Sequence, residues 1–389
     1  MADQIIAGID VGTYQVKVAV VRIPKNKKDR SLPQIIGTGF AESRGLRNGY
    51  IINESDVARS VHSAIIQAEK SAGVPIKRAY VSIGSVGIDE LVSRGEIITS
   101  RADSEITAVD VEKAMQDSED RISEQIPNRK VIHAIPLRFS IDGEPVLGKP
   151  HGMHGTKLEV ETLFITTFEQ HLNDLISAIE GTGVYVEDVM ASPIAASFVM
   201  LNKAQKRAGC VLANIGAETV SMVVFEDSIP ISLKIFPIGS NDITNDIALG
   251  MKIPLEEAEK IKRGSAFGTN YPKKKLDEII AARLTDIFEL IDVQLKKIKK
   301  DGMLPAGIIL TGGGSSIATI QDLAKASLRL PSRIAKLDVG KNTKVRDASW
   351  AVAYGLCMWG SSSDYDSTQI GMTKQTKQSL LTWLSQFLP

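Results

Sequence analysis

The sequence predicts an α/β protein of two lobes, built on a duplicated hairpin core with a separate subdomain inserted into its first half. Three observations carry that reading. An apolar run at residues 5–9 is interrupted by Asp10-Val11-Gly12-Thr13, and Val16, Val18 and Val20 then alternate with Lys17 and Ala19 at the period of a strand. The pattern returns at an offset of 204 residues, where Val211-Leu212-Ala213 leads into Asn214-Ile215-Gly216-Ala217-Glu218-Thr219 and a strand at 220–225, so that Gly12 maps onto Gly216. Each copy continues into a third apolar strand, near 34–41 and 229–237, and then into a helical pattern.

In the first half the helix is expected near 54–71, ended by Gly73 and Pro75 and followed by a strand at 78–83. In the second half helices are expected at 241–250, 255–263 and 274–300. Between the halves lie a strand after Gly84, a helix near 109–122, strands around 130–139 and 158–166, and a loop at 148–155. The implied organisation is a first core half at 1–83 with 165–200, an insertion at 84–164, and a second core half at 201–240 with 303–345. A helical subdomain at 241–302 belongs to the second half, and 346–360 returns to the first. Residues 361–378 are rich in Ser, Asp and Thr and read as a flexible linker to a short tail at 379–389.

Composition narrows the function. The chain has 389 residues, 43% of them hydrophobic, enough for two or three ordinary domains. Its 46 basic side chains balance 46 acidic ones and only 5% are aromatic, which argues against a dedicated nucleic-acid binder. Cys210 and Cys357 lie far apart among apolar neighbours, so neither a disulfide framework nor a cysteine-held metal is expected, and the compartment reads as reducing cytosol. No basic leader and no spanning apolar run is evident, so the expectation is a protein neither secreted nor transmembrane.

The turns carry the candidate chemistry. Gly12 lets backbone N–H groups approach a phosphate, Thr13 adds a hydroxyl donor, and Asp10 can orient hydrated magnesium, with Tyr14 and Lys17 beside them. One such turn also occurs in plain hairpins. The second copy, with Asn214, Gly216, Ala217, Glu218 and Thr219, allows two facing hairpins to clamp a polyphosphate from both sides. A third element is the apolar strand that ends in Gly312-Gly313-Gly314-Ser315-Ser316, a glycine loop of the kind that brings backbone close to ribose or phosphate.

These motifs resemble those of the actin, hexokinase and sugar-kinase superfamily, and more narrowly the FtsA family of bacterial cell-division proteins. The resemblance covers nearly the whole chain. It includes Gly8-Ile9-Asp10-Val11-Gly12-Thr13, Leu310-Thr311-Gly312-Gly313-Gly314, Glu105-Ile106-Thr107 with Asp110-Val111, and His133-Ala134-Ile135-Pro136. Gly152-Met153-His154-Gly155-Thr156-Lys157-Leu158-Glu159 is similar to a further family stretch, with Lys157 in place of an Arg. The resemblance implies an actin-like two-lobed ATPase fold with an FtsA-type inserted subdomain, ATP with Mg2+ as cofactor, and Glu259 and Lys262 at the ribose and base. Those two otherwise read as a solvated helix face.

Two departures bear on the chemistry. Asn214 stands where most relatives have an aspartate, and Ser192-Pro193 where relatives such as MreB have a glutamate that orients the attacking water. No strong catalytic residue is therefore expected beyond Asp10, with nucleotide bound and hydrolysis at most slow. The family's partners imply that Arg283, with Lys296 and Lys297 on the same helix, receives the acidic and apolar C-terminal peptide of FtsZ; a solvated helix end is the plain alternative for the lysines. Leu380, Leu381, Trp383, Leu384, Phe387 and Leu388 share one helical face behind Lys374 and Lys377, the pattern of an interfacial anchor on an anionic membrane. His151 and His154 read as loop residues, and Lys25, Lys27, Lys28 and Arg30 as an exposed hairpin loop. The expected role is a self-assembling, ATP-binding tether of FtsZ filaments on the inner face of the cell membrane at midcell. A PilM-like pilus-assembly ATPase and a small-molecule kinase of the same superfamily are the alternatives.

Overall fold

The computed structural model describes residues 4–23, 33–99, 101, 103–264, 271–337 and 347–367. The first lobe is a five-stranded sheet in the order Tyr185–Ala191, Arg78–Ile83, Gln4–Val11, Gln15–Ile23, Gln34–Glu42. The second lobe is a five-stranded sheet in the order Ser332–Ile334, Ile308–Thr311, Cys210–Ile215, Val220–Glu226, Ile229–Phe236. In each, the first strand of the hairpin pairs antiparallel with the second and parallel with a strand that arrives after a crossover. Asp10 pairs with Lys17 and Asn214 with Ser221, so the repeat seen in sequence is kept residue for residue in register.

The helix Glu54–Ala72 shows how local chemistry places an element. Asn53 caps it by accepting from the Asp56 N–H, Gly73 ends it in the left-handed region at φ 70, and Val57, Val61, Ala64, Ile65 and Ala68 form its buried stripe. Gly37 and Gly39 of the adjoining strand leave room for it, since a Cβ on Gly39 would overlap the Ala64 carbonyl oxygen. The long helix Lys273–Lys297 is shorter than expected. It stops because Lys299 turns left-handed, at φ 58, and the Lys300 N–H reaches back to the Leu295 carbonyl at 2.8 Å.

The insertion is a four-stranded antiparallel sheet, Asp89–Ile98, Lys157–Phe168, Arg129–Ile141, Glu144–Val146, covered by the helix Ala108–Asp120. That helix starts in a Thr107/Asp110 capping box. The three-residue strand Glu144–Val146 carries too little periodicity to be expected. The insertion touches both lobes: Glu90 accepts from Ser232 Oγ, the Leu233 N–H and Gln294 Nε2 of the second lobe, while His133 Nε2 accepts from the Ala191 N–H of the first.

The last helix, Ala351–Ser367, packs on the first sheet and on the helix Ser192–Met200, where Gly8 and Gly355 leave space for the backbones of Ala353 and Ala195. This corrects the expected linker at 361–378, because its first seven residues continue the helix. Leu356, Cys357 and Trp359 are buried and nucleate it, and no proline follows to stop propagation. Residues 368–378, and the tail with Leu380, Leu381, Trp383, Leu384, Phe387 and Leu388, lie outside the described residues, as does the loop bearing Lys25, Lys27, Lys28 and Arg30. No helix among the described residues is long and apolar enough to cross a membrane.

Candidate functional site

The first hairpin brings Asp10 and Lys17 side by side next to its turn. Ser82, on the neighbouring parallel strand, donates its hydroxyl to Asp10 Oδ1 at 2.8 Å. Burial pushes the Asp10 carboxyl up from its ordinary range against the opposing pull of Lys17 and Ser82, and burial also lowers the Lys17 ammonium against the pull of Asp10 and Asp347. Lys17 Nζ donates to the Ser349 carbonyl at 3.0 Å. Ser349 belongs to a short strap, residues 347–350, that also accepts from Thr311 Oγ1 through Ala348 at 3.3 Å, and so it lies between the two lobes.

The second hairpin and the glycine loop form one surface. Asn214 pairs with Thr311 in the parallel register, so Gly312 emerges beside it with φ 87, a conformation suited to glycine. A Cβ there would overlap Asn214 Oδ1, and one on Gly314 would press on Ile215, whereas Gly313 faces open space. Ser315 Oγ is taken by the Gly312 carbonyl at 2.7 Å, which shapes the loop and uses the hydroxyl internally. Gly216 N–H bonds the Thr219 carbonyl at 2.9 Å, closing the turn, and the carbonyls of Gly216 and Ala217 accept the N–H groups of Ser240 and Asn241, at the start of the next helix.

Glu259 and Lys262 are partners of each other. Their charged atoms lie 2.7 Å apart, Thr244 Oγ1 donates to Glu259 Oε2 at 2.6 Å, and Lys262 Nζ also reaches the Ser240 carbonyl and Thr244 Oγ1. Burial opposes ionisation of Glu259, but hydrogen bonds from Lys262, Thr244 and Arg263 outweigh it and hold the carboxyl down at about 2. Lys262 is drawn down by burial, against the pull of Glu259. The reading of these two as a solvated face fails for Lys262, whose side chain is 7% exposed.

The hairpin tips reach across the cleft. Glu218 Oε2 accepts from the Asn48 N–H of the first lobe at 2.6 Å, and Tyr14 OH accepts from Arg263 Nη2 of the second at 3.2 Å. Ser192 is buried at the start of its helix with its Oγ against Gly84, so a short hydroxyl stands at this position.

Asp10, Gly12, Thr13, Tyr14, Lys17, Asn214, Gly216, Ala217, Glu218, Thr219, Gly312, Gly313, Gly314 and Ser315 thus lie on or beside three turns where the two lobes meet, with Glu259 and Lys262 on the second-lobe side. Ser82, Asn48 and Arg263 were missed. Asn48-Gly49 is a strong hairpin signal that the reading of the sequence passed over, whereas nothing local marks Ser82 or Arg263.

The expected partner-binding residues are not brought together. Arg283 gives Nε to Asp246 Oδ2 at 2.6 Å and Nη2 to Oδ1 at 3.0 Å, while Lys296 pairs with Asp292 at 2.6 Å. Thirteen residues of helix put Arg283 and Lys296 roughly 20 Å apart along its axis at 1.5 Å per residue. They are two separate places, since a single short groove would need cations on neighbouring turns. His154 Nδ1 lies 3.0 Å from the Asp103 carbonyl oxygen, and no cluster of metal-ligating side chains occurs among the described residues.

The chain matches a family model described as cell division protein FtsA over residues 211–355 and one described as the SHS2 domain inserted in FtsA over 88–166. It is 29% identical over 377 residues to the cell division protein FtsA of Bacillus subtilis, covering 91% of this chain and 83% of that one. To FtsA of Pseudomonas aeruginosa it is 26% identical, covering 95% and 92%, and to FtsA of Escherichia coli K12 24%, covering 98% and 96%. Among solved structures it resembles a chain of the PilM-PilN type IV pilus biogenesis complex, with a TM-score of 0.67 at 16% identity over 91% of this chain and 98% of that one. It also resembles MreB5 of Spiroplasma citri bound to ADP, with a TM-score of 0.54 at 12% identity over 94% and 99%. Those likenesses establish the actin-like fold. With its insertion and second half both matched and its relatives aligned over more than nine-tenths of its length, the chain belongs to the FtsA family of cell-division proteins.

Proposed function

We propose that this chain binds ATP with Mg2+ in the cleft between its lobes, assembles with copies of itself, and tethers FtsZ filaments to the cytoplasmic membrane at midcell. The observation that carries the nucleotide reading is the repeated register, Asp10 with Lys17 and Asn214 with Ser221, which gives each lobe a phosphate-type turn, the second of them beside a glycine loop. Backbone N–H groups on the turns and the Lys17 ammonium suit a polyphosphate, and Gly313, with open space above it, suits close approach of a ligand. The site offers the carboxylate of Asp10 and the amide of Asn214, a donor set that fits magnesium held largely through its own waters. Bound there, the ion would neutralise phosphate charge. Asp10 would orient its water shell while Ser82 fixes the Asp10 rotamer.

Hydrolysis on this reading is slow. Ser192 is too short and too poor a base to activate water, and Asn214 supplies no negative charge. FtsZ binding is assigned to the Arg283 face of the second-lobe helices, and membrane attachment to the amphipathic tail. The family membership supports both assignments, and the apolar face of the tail supports the second. Equilibrium binding of a fluorescent ATP analogue, paired with sedimentation on anionic liposomes, tests the nucleotide and membrane parts. Failure to bind nucleotide overturns the first part, and failure to sediment overturns the second.

A further inference from the structure

We propose that two contacts across the cleft form a clasp that sets how long a nucleotide stays bound; this rests on the nucleotide-binding reading above and concerns the regulation of that same site. The first contact is made by a small finger of the first lobe, the two-stranded ribbon Leu46–Arg47 and Tyr50–Ile51. Its turn residues Asn48 and Gly49 have φ 49 and 80, both positive as in a type I′ hairpin, so the turn is stiff and its N–H directions are set. The finger is seated. A Cβ on Gly49 would lie 2.6 Å from the Gly84 carbonyl oxygen, and the Val86 N–H donates to the Asn48 carbonyl at 3.3 Å. From this base the Asn48 N–H donates to Glu218 Oε2 at 2.6 Å, on the turn of the second hairpin.

The second contact runs the other way. Tyr14, 52% exposed at the tip of the first hairpin, meets Arg263 at the C-terminal end of the helix Leu255–Lys262. Arg263 Nη2 donates to the Tyr14 hydroxyl at 3.2 Å, and the guanidinium carbon lies 5.6 Å from the ring centroid, within cation–π range. Arg263 is aimed by Glu259, whose Oε1 accepts from its Nε at 2.6 Å.

Each hairpin tip is therefore bonded to the opposite lobe, and both bonds are made by residues of the turns to which the phosphates are assigned. A nucleotide leaving that space requires the lobes to part, and parting them breaks both bonds. Glu259 is also the residue assigned to the ribose, so the sugar and the clasp share one carboxylate. Seating the sugar and closing the clasp are thereby linked.

The test is release of a fluorescent ATP analogue from preloaded full-length protein, chased with excess unlabelled ATP in a stopped-flow instrument. An exposed cation–π contact with a long hydrogen bond predicts release about two- to fivefold faster in Arg263→Ala, with Tyr14→Ala similar. The charge-assisted bond to Glu218 predicts about tenfold or more in Glu218→Ala, with part of the effect recovered by Glu218→Gln, whose amide oxygen still accepts. The double variant Tyr14→Ala/Arg263→Ala should release no faster than either single one, because both remove one contact. Additive effects, or release at the wild-type rate in Arg263→Ala and in the double variant, overturn the clasp while leaving nucleotide binding intact. A wild-type chain that binds no analogue overturns the nucleotide reading, and the clasp with it.

Discussion

Arg283 is held by Asp246 through two hydrogen bonds, at 2.6 and 3.0 Å, with Asp286 3.2 Å from its remaining edge. An acidic peptide that uses Arg283 must therefore displace a partner the protein already supplies. If the FtsZ tail docks here, Arg283→Glu weakens it about tenfold or more, and Asp246→Asn strengthens it several-fold by freeing the guanidinium. Fluorescence anisotropy of a labelled tail peptide reads both. Affinities that stay equal across the three proteins reject the site.

Asp10→Ala should weaken nucleotide binding by at least tenfold, because it removes the carboxylate that balances Lys17 and that, on the proposed reading, would orient the metal. Phosphate release from wild-type protein should fall far below the roughly 1–100 s⁻¹ of kinases, since neither Ser192 nor Asn214 supplies a carboxylate. Turnover in that range would refute the weak-hydrolysis reading.

Gly312→Ala should destabilise the second lobe by about 2 kcal/mol or more, because a left-handed backbone and an overlap with Asn214 Oδ1 act together. Gly313→Ala, with open space around it, should fold normally. Urea midpoints compare the two. Equal losses would mean that the glycine loop is not packed on Asn214 as described.

His133 is pushed down by burial to about 4 and accepts from the Ala191 N–H as a neutral ring. Its pKa in the unfolded chain lies near 6.5, so its contribution is complete above that value. It is lost as pH falls from 6.5 toward 4, by about 3 kcal/mol in all. Asp188, raised by burial to about 6, has the opposite slope between its ordinary 3.8 and 6, so the comparison that isolates His133 is wild type against His133→Gln. In denaturant unfolding the stability of wild type relative to the variant should rise between pH 4 and 6.5, and parallel profiles would contradict the assignment.

Trp383→Glu puts a charge into the apolar face of the tail and should release the protein from anionic liposomes while ATP binding persists. A single tail, only partly buried at an interface, binds reversibly, so sedimentation should rise steeply under conditions that favour assembly. A chain ending at Lys377 that still sediments as wild type does would refute the tail as anchor.

The duplicated core, the insertion and the three glycine-bearing turns were all legible in the sequence. They are written in local signals: strand periodicity on either side of a glycine turn, an offset that returns the same pattern, and glycines at a strand end. The register of Asp10 with Lys17 came from the structure, although the short turn that restricts it is marked in the sequence. What stood opposite each turn was not legible. Ser82 lies 72 residues from Asp10, and Glu218 lies 170 from Asn48, distances over which no periodicity speaks. The same holds for Arg283, which in sequence is one cation among several on a helix and in the fold is half of a pair with Asp246 from another helix. The helix that runs on to Ser367 through a linker-like composition was settled by packing. Buried Cys357 and Trp359 supply the energy that Ser and Asp propensities withhold. Short-range geometry therefore determined the elements and their turns, and only the tertiary structure decided which side chains meet, because burial and charge pairing depend on neighbours that the chain brings together from afar.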